Sequence, residues 1–261
     1  MLLAAFPDAR HGSPASREAL EQVHAHEYLK VLEELSEPTW FDYPNTIASE
    51  TSWEASLLAA GCAIEAAETG SFALVRPPGH HAPPSGAMGF CLVNNIAIAA
   101  RHMQARHGVD RIAIVDFDVH HGNGTQDVFE HDGSVLYASL HQTGIYPGTG
   151  ASGEGGATTV NVPLPPGCGD GEWVHAFERY VEPAVAGFEP ELVLVSAGFD
   201  AHEEEDIYLV DMHVTDQGFR ELARRCSALA PRVAAVLEGG YNLETLPGLV
   251  AAALDGFNDA Q

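Results

Sequence analysis

Short apolar segments alternate with longer segments of helical pattern along this chain, and this order limits the possible folds more than any other feature. The predicted strands span 72–76, 111–119, 135–140, 159–164, 192–196 and 233–237. The predicted helices span 16–35, 52–69, 92–106, 172–185, 216–229 and 246–254. Strands that are apolar at nearly every position are typical of a parallel sheet with helices on both faces. We therefore predict an α/β fold with a mainly parallel sheet, formed by one domain over residues 1–261.

Charge and cysteine content narrow the possible functions. The chain has 37 acidic and 12 basic residues and a net charge of −25, the opposite of what a nucleic-acid binder needs. Adaptation to a salty cytoplasm, a field that attracts cationic substrates, and compositional drift would each account for this charge. The four cysteines form no CxxC pair and favour a reducing, cytoplasmic location. No apolar run approaches the roughly 20 residues of a membrane helix, and residues 1–6 are too short for a signal peptide.

The strand predicted at 111–119 runs directly into acids and histidines. Side-chain alternation would place Asp116, Asp118 and His120 on one face of that strand. Asp200 follows the strand at 192–196, so it would reach the same edge of a parallel sheet. Buried carboxylates beside an imidazole need a counter-charge, and three protein ligands leave one position open on a catalytic metal. The alternative interpretation is a cluster of turn and helix-capping residues.

Two further motifs end at the same edge. The tandem histidines His80 and His81 lie in a Pro- and Gly-rich loop, and imidazoles suit general acid–base chemistry near neutral pH. Asp116 and Asn123 are available as partners that fix their tautomers. Tyr241 follows two glycines after the last strand and could donate a hydrogen bond to an oxyanion. Taken singly, each motif also fits a surface turn.

Together and in this order, these motifs resemble the histone deacetylase family of zinc amidohydrolases. The resemblance is nearest to bacterial members that are similar to class II deacetylases and to acetylpolyamine amidohydrolases. It covers residues 16–257 and rests on the segments 76–82, 88–95, 115–124, 139–141, 146–150, 198–202 and 237–242. It implies an arginase/deacetylase-like, three-layer αβα fold and an enzyme that removes acetyl or related acyl groups from amines such as acetyl-lysine or acetylpolyamines.

The resemblance also implies a role for each matching residue. Zinc would bind Asp118, His120 and Asp200, with Fe²⁺ or Co²⁺ as possible substitutes for this hard donor set. His81 would act as general base and then acid, with Asn123 orienting it. His80, paired with Asp116, would give electrostatic support, and Tyr241 would polarise the acyl carbonyl. Phe90 and Tyr146 would form the walls of a substrate slot. The carbonyl of Gly89 would bind the amide N–H of the substrate, and Asp42 would be the acid at the rim.

Structural potassium is expected at two places in this family. One ion would use Asp116, Asp118, His120, Ser139 and Leu140. The second would use Phe129, Asp132, Val135 and Thr158.

The chain departs from the family pattern in three places. Asn123 stands where some members have Asp. The segment 201–208 is about two residues longer than usual, so the rim residue is either Ile207 or Tyr208. The family's first strand has no counterpart in this sequence. There are three explanations: the sheet has one strand fewer, a partner such as a second copy covers the exposed edge, or the start is wrongly assigned.

Two other functions compete with this interpretation. A binuclear manganese ureohydrolase would need more carboxylates near the metal, but position 122 is Gly and position 202 is His. A non-catalytic module that binds acylated amines would not need the histidine pair and Tyr241, which the chain keeps.

Overall fold

A six-stranded parallel sheet forms the centre of the protein. The computed structural model describes residues 1–42 and 44–259. In spatial order the strands of this sheet are β3, β10, β8, β4, β5 and β6, and every neighbouring pair is parallel. Their bounds are Phe72–Ala73 (β3), Ile112–Asp116 (β4), Val135–Gln142 (β5), Thr159–Leu164 (β6), Leu192–Ala197 (β8) and Val233–Leu237 (β10).

Alternating side chains of these strands build two separate hydrophobic cores. In β4, Ile112 and Ile114 pack into one core, whereas Ala113 and Val115 pack into the other. Strands β5, β8 and β10 divide their side chains in the same way. Burial on both faces explains why the strands are apolar throughout. The result is the three-layer αβα arrangement that the sequence predicts.

Helices cover both faces of the sheet. The first core contains side chains of α2, α3, α4 and α5, at Arg17–Leu20, His26–Glu33, Ser52–Thr69 and Asn95–His107. The second contains side chains of α7, α8, α9 and α10, at Asp170–Ala176, Glu182–Phe188, Asp216–Ser227 and Leu246–Asp259. A short helix α1 (Leu2–Ala5) lies against α10, and α6 (Asn123–Phe129) follows the loop after β4. No helix in the described part of the chain is both long and apolar enough to span a bilayer.

The helix predicted at 16–35 is wrong in one respect, because the structure divides it into α2 and α3. The break lies where the backbone N–H of Ala25 bonds the carbonyl of Pro84 instead of continuing a helix. The ring of His24 accepts the backbone N–H of Asn94 in the same segment. Tertiary hydrogen bonds therefore outweigh the helical pattern there.

The helix predicted at 172–185 is also interrupted. A π-helical segment, Phe177–Val181, separates α7 from α8. Pro183 stands in the first turn of α8, and its missing N–H removes the normal partner of the carbonyl four residues earlier.

Several elements were not predicted. They are the hairpin of β1 (Thr39–Asp42) and β2 (Thr46–Ala48), the pair β7 (Cys168–Gly169) and β9 (Met212–His213), α1 and α6. The strands predicted at 72–76 and 111–119 end earlier, at Ala73 and Asp116. The N-terminal residues do not add a strand to the central sheet in the described structure, whose edge strand β3 pairs with β10 alone.

Candidate active site

Asp118, His120 and Asp200 converge beyond the carboxyl ends of β4 and β8. Nδ1 of His120 lies 3.2 Å from Oδ1 of Asp118 and 3.0 Å from Oδ2 of Asp200. All three ligand atoms lie within 4.8 Å of one another. The prediction that side-chain alternation along one strand groups these residues is wrong, because β4 ends at Asp116. A loop groups them instead, in which the Asp118 carboxylate accepts the backbone N–H of His120 at 2.9 Å.

The surroundings of the three side chains fit a bound cation. Asp118 and Asp200 are fully buried. Burial and the neighbouring negative charge of Asp118 raise the pKa of Asp200, because two buried carboxylates at this spacing repel each other. Gly198 and Gly239 give them space, since a Cβ at either position would overlap a carboxylate. A divalent cation bound by two carboxylates and one imidazole would remove this repulsion.

The paired histidines stand beside this cluster, each held by a different partner. Nδ1 of His80 lies 3.1 Å from Oδ2 of Asp116, and Nδ1 of His81 lies 2.9 Å from Oδ1 of Asn123. The ring centroids of His81 and His120 are 5.9 Å apart. These partners are the ones the sequence predicts, and they leave Nε2 of His81 as its free ring nitrogen for proton transfer.

Charge separates the roles of the two histidines. Burial alone would lower the pKa of His80, but the carboxylates of Asp118 and Asp116 outweigh it and raise the pKa to about 10. Burial, together with the positive charges of His80 and His120, lowers the pKa of His81 well below its ordinary range. His80 thus carries a positive charge, whereas His81 is neutral, which is the protonation state that a general base needs.

A buried carboxylate holds the histidine loop against the last strand. Glu238 accepts the backbone N–H groups of Gly79 and His80 at 2.6 and 3.1 Å, and it accepts the hydroxyl of Ser196 at 3.1 Å. Arg76 donates to the carbonyls of Glu238 and Gly240. The loop and the turn that carries Tyr241 are therefore fixed relative to each other.

Tyr241 faces the candidate metal cluster from the turn after β10. The residue as a whole is 37% exposed, but desolvation of its hydroxyl and the carboxylates of Asp200 and Asp118 raise the pKa of that hydroxyl, which therefore stays protonated. The Arg76 guanidinium lies 5.3 Å from the centre of the Tyr241 ring. The ring of Phe90 meets it edge to face at 5.7 Å between centroids. Tyr241 can thus act as a hydrogen-bond donor with a fixed ring.

The predicted slot residues lie around His81 and Tyr241. Phe90 is 50% exposed, and its backbone N–H donates to the hydroxyl of Thr46 at 3.0 Å. The ring of Tyr146 meets the ring of His81 at 5.1 Å, and its hydroxyl donates to Oδ2 of Asp42 at 3.0 Å. Gly89 has a φ of +56° and no room for a Cβ beside the His81 ring, so glycine is required there. These contacts place Gly89 and Tyr146 directly beside the His81 ring.

The acidic loop, residues 203–206, lies against the turn that carries Tyr241. Oε1 of Glu205 accepts the backbone N–H groups of Tyr241 and Asn242 at 2.8 and 2.9 Å. Of the two candidate rim residues, Ile207 is half-buried, whereas Tyr208 is 87% exposed.

The expected potassium ligands lie in two groups along β5. Asp116 and Ser139 are register partners in β4 and β5, next to Leu140. In the second group, the carbonyl of Asp132 receives the N–H of Val135 and the hydroxyl of Thr158, and the carbonyl of Phe129 receives the N–H of Asp132. Potassium binding at both groups stays a prediction.

Thermal stability should increase from low salt to molar potassium chloride. A net charge of −25 destabilises the folded chain where screening is weak, and bound potassium would add stability by mass action. Each kcal/mol gained should raise the melting temperature by roughly 2–4 °C for a chain of this size. Melting curves in potassium, sodium and choline chloride separate specific sites from screening. A melting temperature that is flat or falls in all three salts contradicts both ideas.

Sequence reasoning missed several residues that support the site. Tyr137 donates its hydroxyl to Oδ2 of Asp116 at 3.0 Å. Glu238, Arg76, Thr46 and Glu205 received no role. Arg76 and Glu238 could have been found from the sequence, because each is a charged residue directly after an apolar strand segment, where a buried charge needs a partner.

The fold and the site together define an α/β protein with a candidate hydrolytic metal centre at the C-terminal edge of a parallel sheet. Residues 3–257 match the histone deacetylase domain. The chain belongs to the histone deacetylase family and has its arginase/deacetylase fold.

Three similar proteins illustrate the range of this family. Histone deacetylase 14, chloroplastic, from Arabidopsis thaliana is 46% identical over 228 residues, which cover 79% of this chain and 53% of that protein. The HD domain of HDA15 superimposes with a TM-score of 0.91 at 37% identity, covering 98% of this chain and 81% of that one. For acetylpolyamine aminohydrolase from Burkholderia pseudomallei, the TM-score is 0.88 at 29% identity, and the coverage is 99% and 89%. The chain thus spans about half the length of the Arabidopsis relative.

Proposed function

We propose that this protein is a zinc-dependent amidohydrolase that removes acetyl or related acyl groups from primary amines. One observation carries the proposal: the convergent cluster of Asp118, His120 and Asp200 lies beside His81, whose ring stands 5.9 Å from that of His120. A metal-ligand set and a neutral base thus lie within reach of one small reacting group.

The residues present fit zinc, which Asp118, His120 and Asp200 would hold. Zinc, when bound, would acidify the attacking water and polarise the acyl carbonyl. Two carboxylates and one imidazole also suit Fe²⁺ or Co²⁺.

The other residues move protons and stabilise charge. His81 would take the proton of the attacking water and later deliver it to the leaving amine nitrogen, as the amide C–N bond breaks. Asn123 holds Nδ1 of His81, which orients the ring. The Tyr241 hydroxyl would donate to the oxyanion that develops on the acyl oxygen. The charged pair of His80 and Asp116 would stabilise the same negative charge from the other side.

The slot supports an unbranched substrate chain. Phe90 and Tyr146 supply aromatic walls, and the carbonyl of Gly89 would receive the amide N–H of the substrate. Asp42 and the acidic loop give the entrance a negative charge, which favours substrates with a cationic or peptide body. Acetyl-lysine peptides, acetylpolyamines and small acylated metabolites all fit this description.

Purified zinc-loaded protein should hydrolyse at least one of these three substrate types, and a hydroxamate should inhibit it. A hydroxamate chelates a metal at its open coordination position, so inhibition separates metal catalysis from contaminating amidase activity. The measurement is release of free amine from a panel of the three types, with and without the hydroxamate. Tight hydroxamate binding without turnover of any acyl amide would favour the non-catalytic binding module.

A binuclear ureohydrolase finds less support in the site. Among the described residues, Asp118, His120 and Asp200 form one buried ligand group, and the other buried group, His80, Cys91 and Glu238, has a single carboxylate that already accepts three protein donors. Because Glu68, His102 and His107 form another, partly exposed ligand group, the metal is counted in the variant His102→Asn/His107→Asn, where one bound ion indicates a mononuclear centre and two indicate a binuclear one.

We also propose a reducing compartment, such as the cytoplasm, as the place of action. Cys62, Cys91, Cys168 and Cys226 are free thiols, which supports this location.

A further inference from the structure

A second group of potential metal ligands lies at the C-terminal ends of α4 and α5, outside the candidate active site. Oε1 of Glu68 stands 3.0 Å from Nε2 of His102 and 2.9 Å from Nε2 of His107. The three atoms lie within 4.8 Å of one another, and the two imidazole centroids are 5.6 Å apart. One carboxylate oxygen of Glu68 therefore lies within hydrogen-bond distance of both imidazoles.

The two helices that carry these three side chains are packed into the first hydrophobic core. Helices α4 and α5 pack against each other through small and apolar residues, among them Ala63, Ala67, Ala100 and Met103, all of them buried. Ala67 immediately precedes Glu68, and Met103 immediately follows His102. The backbone positions of these ligands are thus fixed by packing, which lowers the entropy lost when an ion binds.

The spacing fits a transition-metal ion with little movement. Bonds of about 2.0–2.1 Å in tetrahedral geometry place neighbouring ligand atoms about 3.3 Å apart. The two nitrogen–oxygen distances are 3.0 and 2.9 Å, so each needs to change by only about 0.4 Å. Two imidazoles and one carboxylate suit Zn²⁺ better than Mg²⁺ or Ca²⁺, which prefer oxygen ligands.

Exposure and charge favour entry of an ion from solvent. The side chains of Glu68, His102 and His107 are 35%, 20% and 41% exposed. The net charge of −25 raises the concentration of cations at the protein surface. Partial exposure also leaves room for water in the remaining coordination positions.

We propose that Glu68, His102 and His107 form a second site for a divalent transition-metal ion, represented by Zn²⁺. The ion would clamp α4 to α5 directly before Gly70 leads into the edge strand β3. The site is independent of the proposed hydrolytic function, because none of its residues belongs to the candidate active site.

Zinc counting on the full chain tests the proposal. Wild-type protein, Asp200→Ala, the double variant His102→Asn/His107→Asn, Glu68→Gln and the control His175→Asn are equilibrated at rising free zinc and analysed by elemental analysis. His175 is an exposed helical histidine of α7. Wild type and the control should bind one more zinc per chain than the double variant and Glu68→Gln. Asp200→Ala should keep this second zinc while it loses the first.

A melting measurement gives a readout that does not depend on activity. In the Asp200→Ala background, added zinc should raise the melting temperature, because the ion binds only the folded arrangement of α4 and α5. Adding His102→Asn/His107→Asn should abolish that increase. Equal zinc binding and an equal thermal shift with and without the two histidines would overturn the proposal. Glu68→Gln, which preserves shape, provides the same comparison if the double variant folds poorly.

Discussion

Replacing Asp200 with alanine should remove the active-site metal and reduce turnover to background. Asp200 supplies one of two carboxylates beside His120, and the remaining pair of ligands cannot hold a catalytic ion tightly. Metal analysis and kcat on an acetyl-lysine amide, measured on the same preparation, provide the test.

Two further variants separate metal loss from misfolding. The Asp200 carboxylate also accepts the backbone N–H of Val119 at 2.9 Å, and alanine leaves this buried donor unsatisfied at a cost of about 1–3 kcal/mol. Asp200→Asn keeps an acceptor oxygen but removes the charge, so it should fold better and still lose most of the active-site metal. Asp255→Ala, at an exposed acid of α10, should retain metal and activity. Full zinc content with normal turnover in Asp200→Ala would refute the ligand assignment.

Replacing Tyr241 with phenylalanine should lower kcat by about 10²–10³, the range found when one oxyanion donor is removed elsewhere. The aromatic contact with Phe90 and the cation–π contact with Arg76 need only the ring, so the fold should be unchanged. The loss should appear mainly in kcat, because the hydrogen bond forms in the transition state. Zinc content should stay normal, since Tyr241 is not a ligand.

His81→Ala and Tyr180→Phe complete the comparison. The first should be at least as damaging as Tyr241→Phe, with zinc retained, because it removes the base. The second removes a hydroxyl from a tyrosine of the π-helical segment that is 52% exposed and should leave kcat unchanged. If Tyr241→Phe turns over at the wild-type rate, the turn after β10 is only structural, and the oxyanion donor lies elsewhere.

The sequence predicts those parts of the fold that depend on local pattern. The bounds of α4, β6 and β10 agree with the predicted ranges 52–69, 159–164 and 233–237. Gly70 ends α4 in the left-handed conformation, and glycine is the residue that adopts it most readily. Patterns fail where distant contacts decide, as at Ala25, whose N–H bonds Pro84 rather than the helix.

In the candidate site, too, local sequence pattern predicts some residues, whereas residues that depend on distant contacts could not be predicted. Asp118, His120 and Asp200 could be predicted because each follows an apolar strand, and the pairs of His80 with Asp116 and His81 with Asn123 are present as expected. Tyr137 and Glu205 could not be predicted, since their partners Asp116 and Tyr241 lie 21 and 36 residues away. Nothing in the local sequence marks such contacts.

The strands that precede the candidate metal ligands are buried on both faces, whereas the β1–β2 hairpin and the loop at 203–209 carry many exposed or half-buried residues. Substitutions at exposed loop positions usually change stability by less than about 0.5 kcal/mol. New side chains at Tyr208, which is 87% exposed, can therefore be accepted without loss of the folded state. This architecture lets substrate preference diverge between descendants of one chain while the hydrolytic centre stays unaltered.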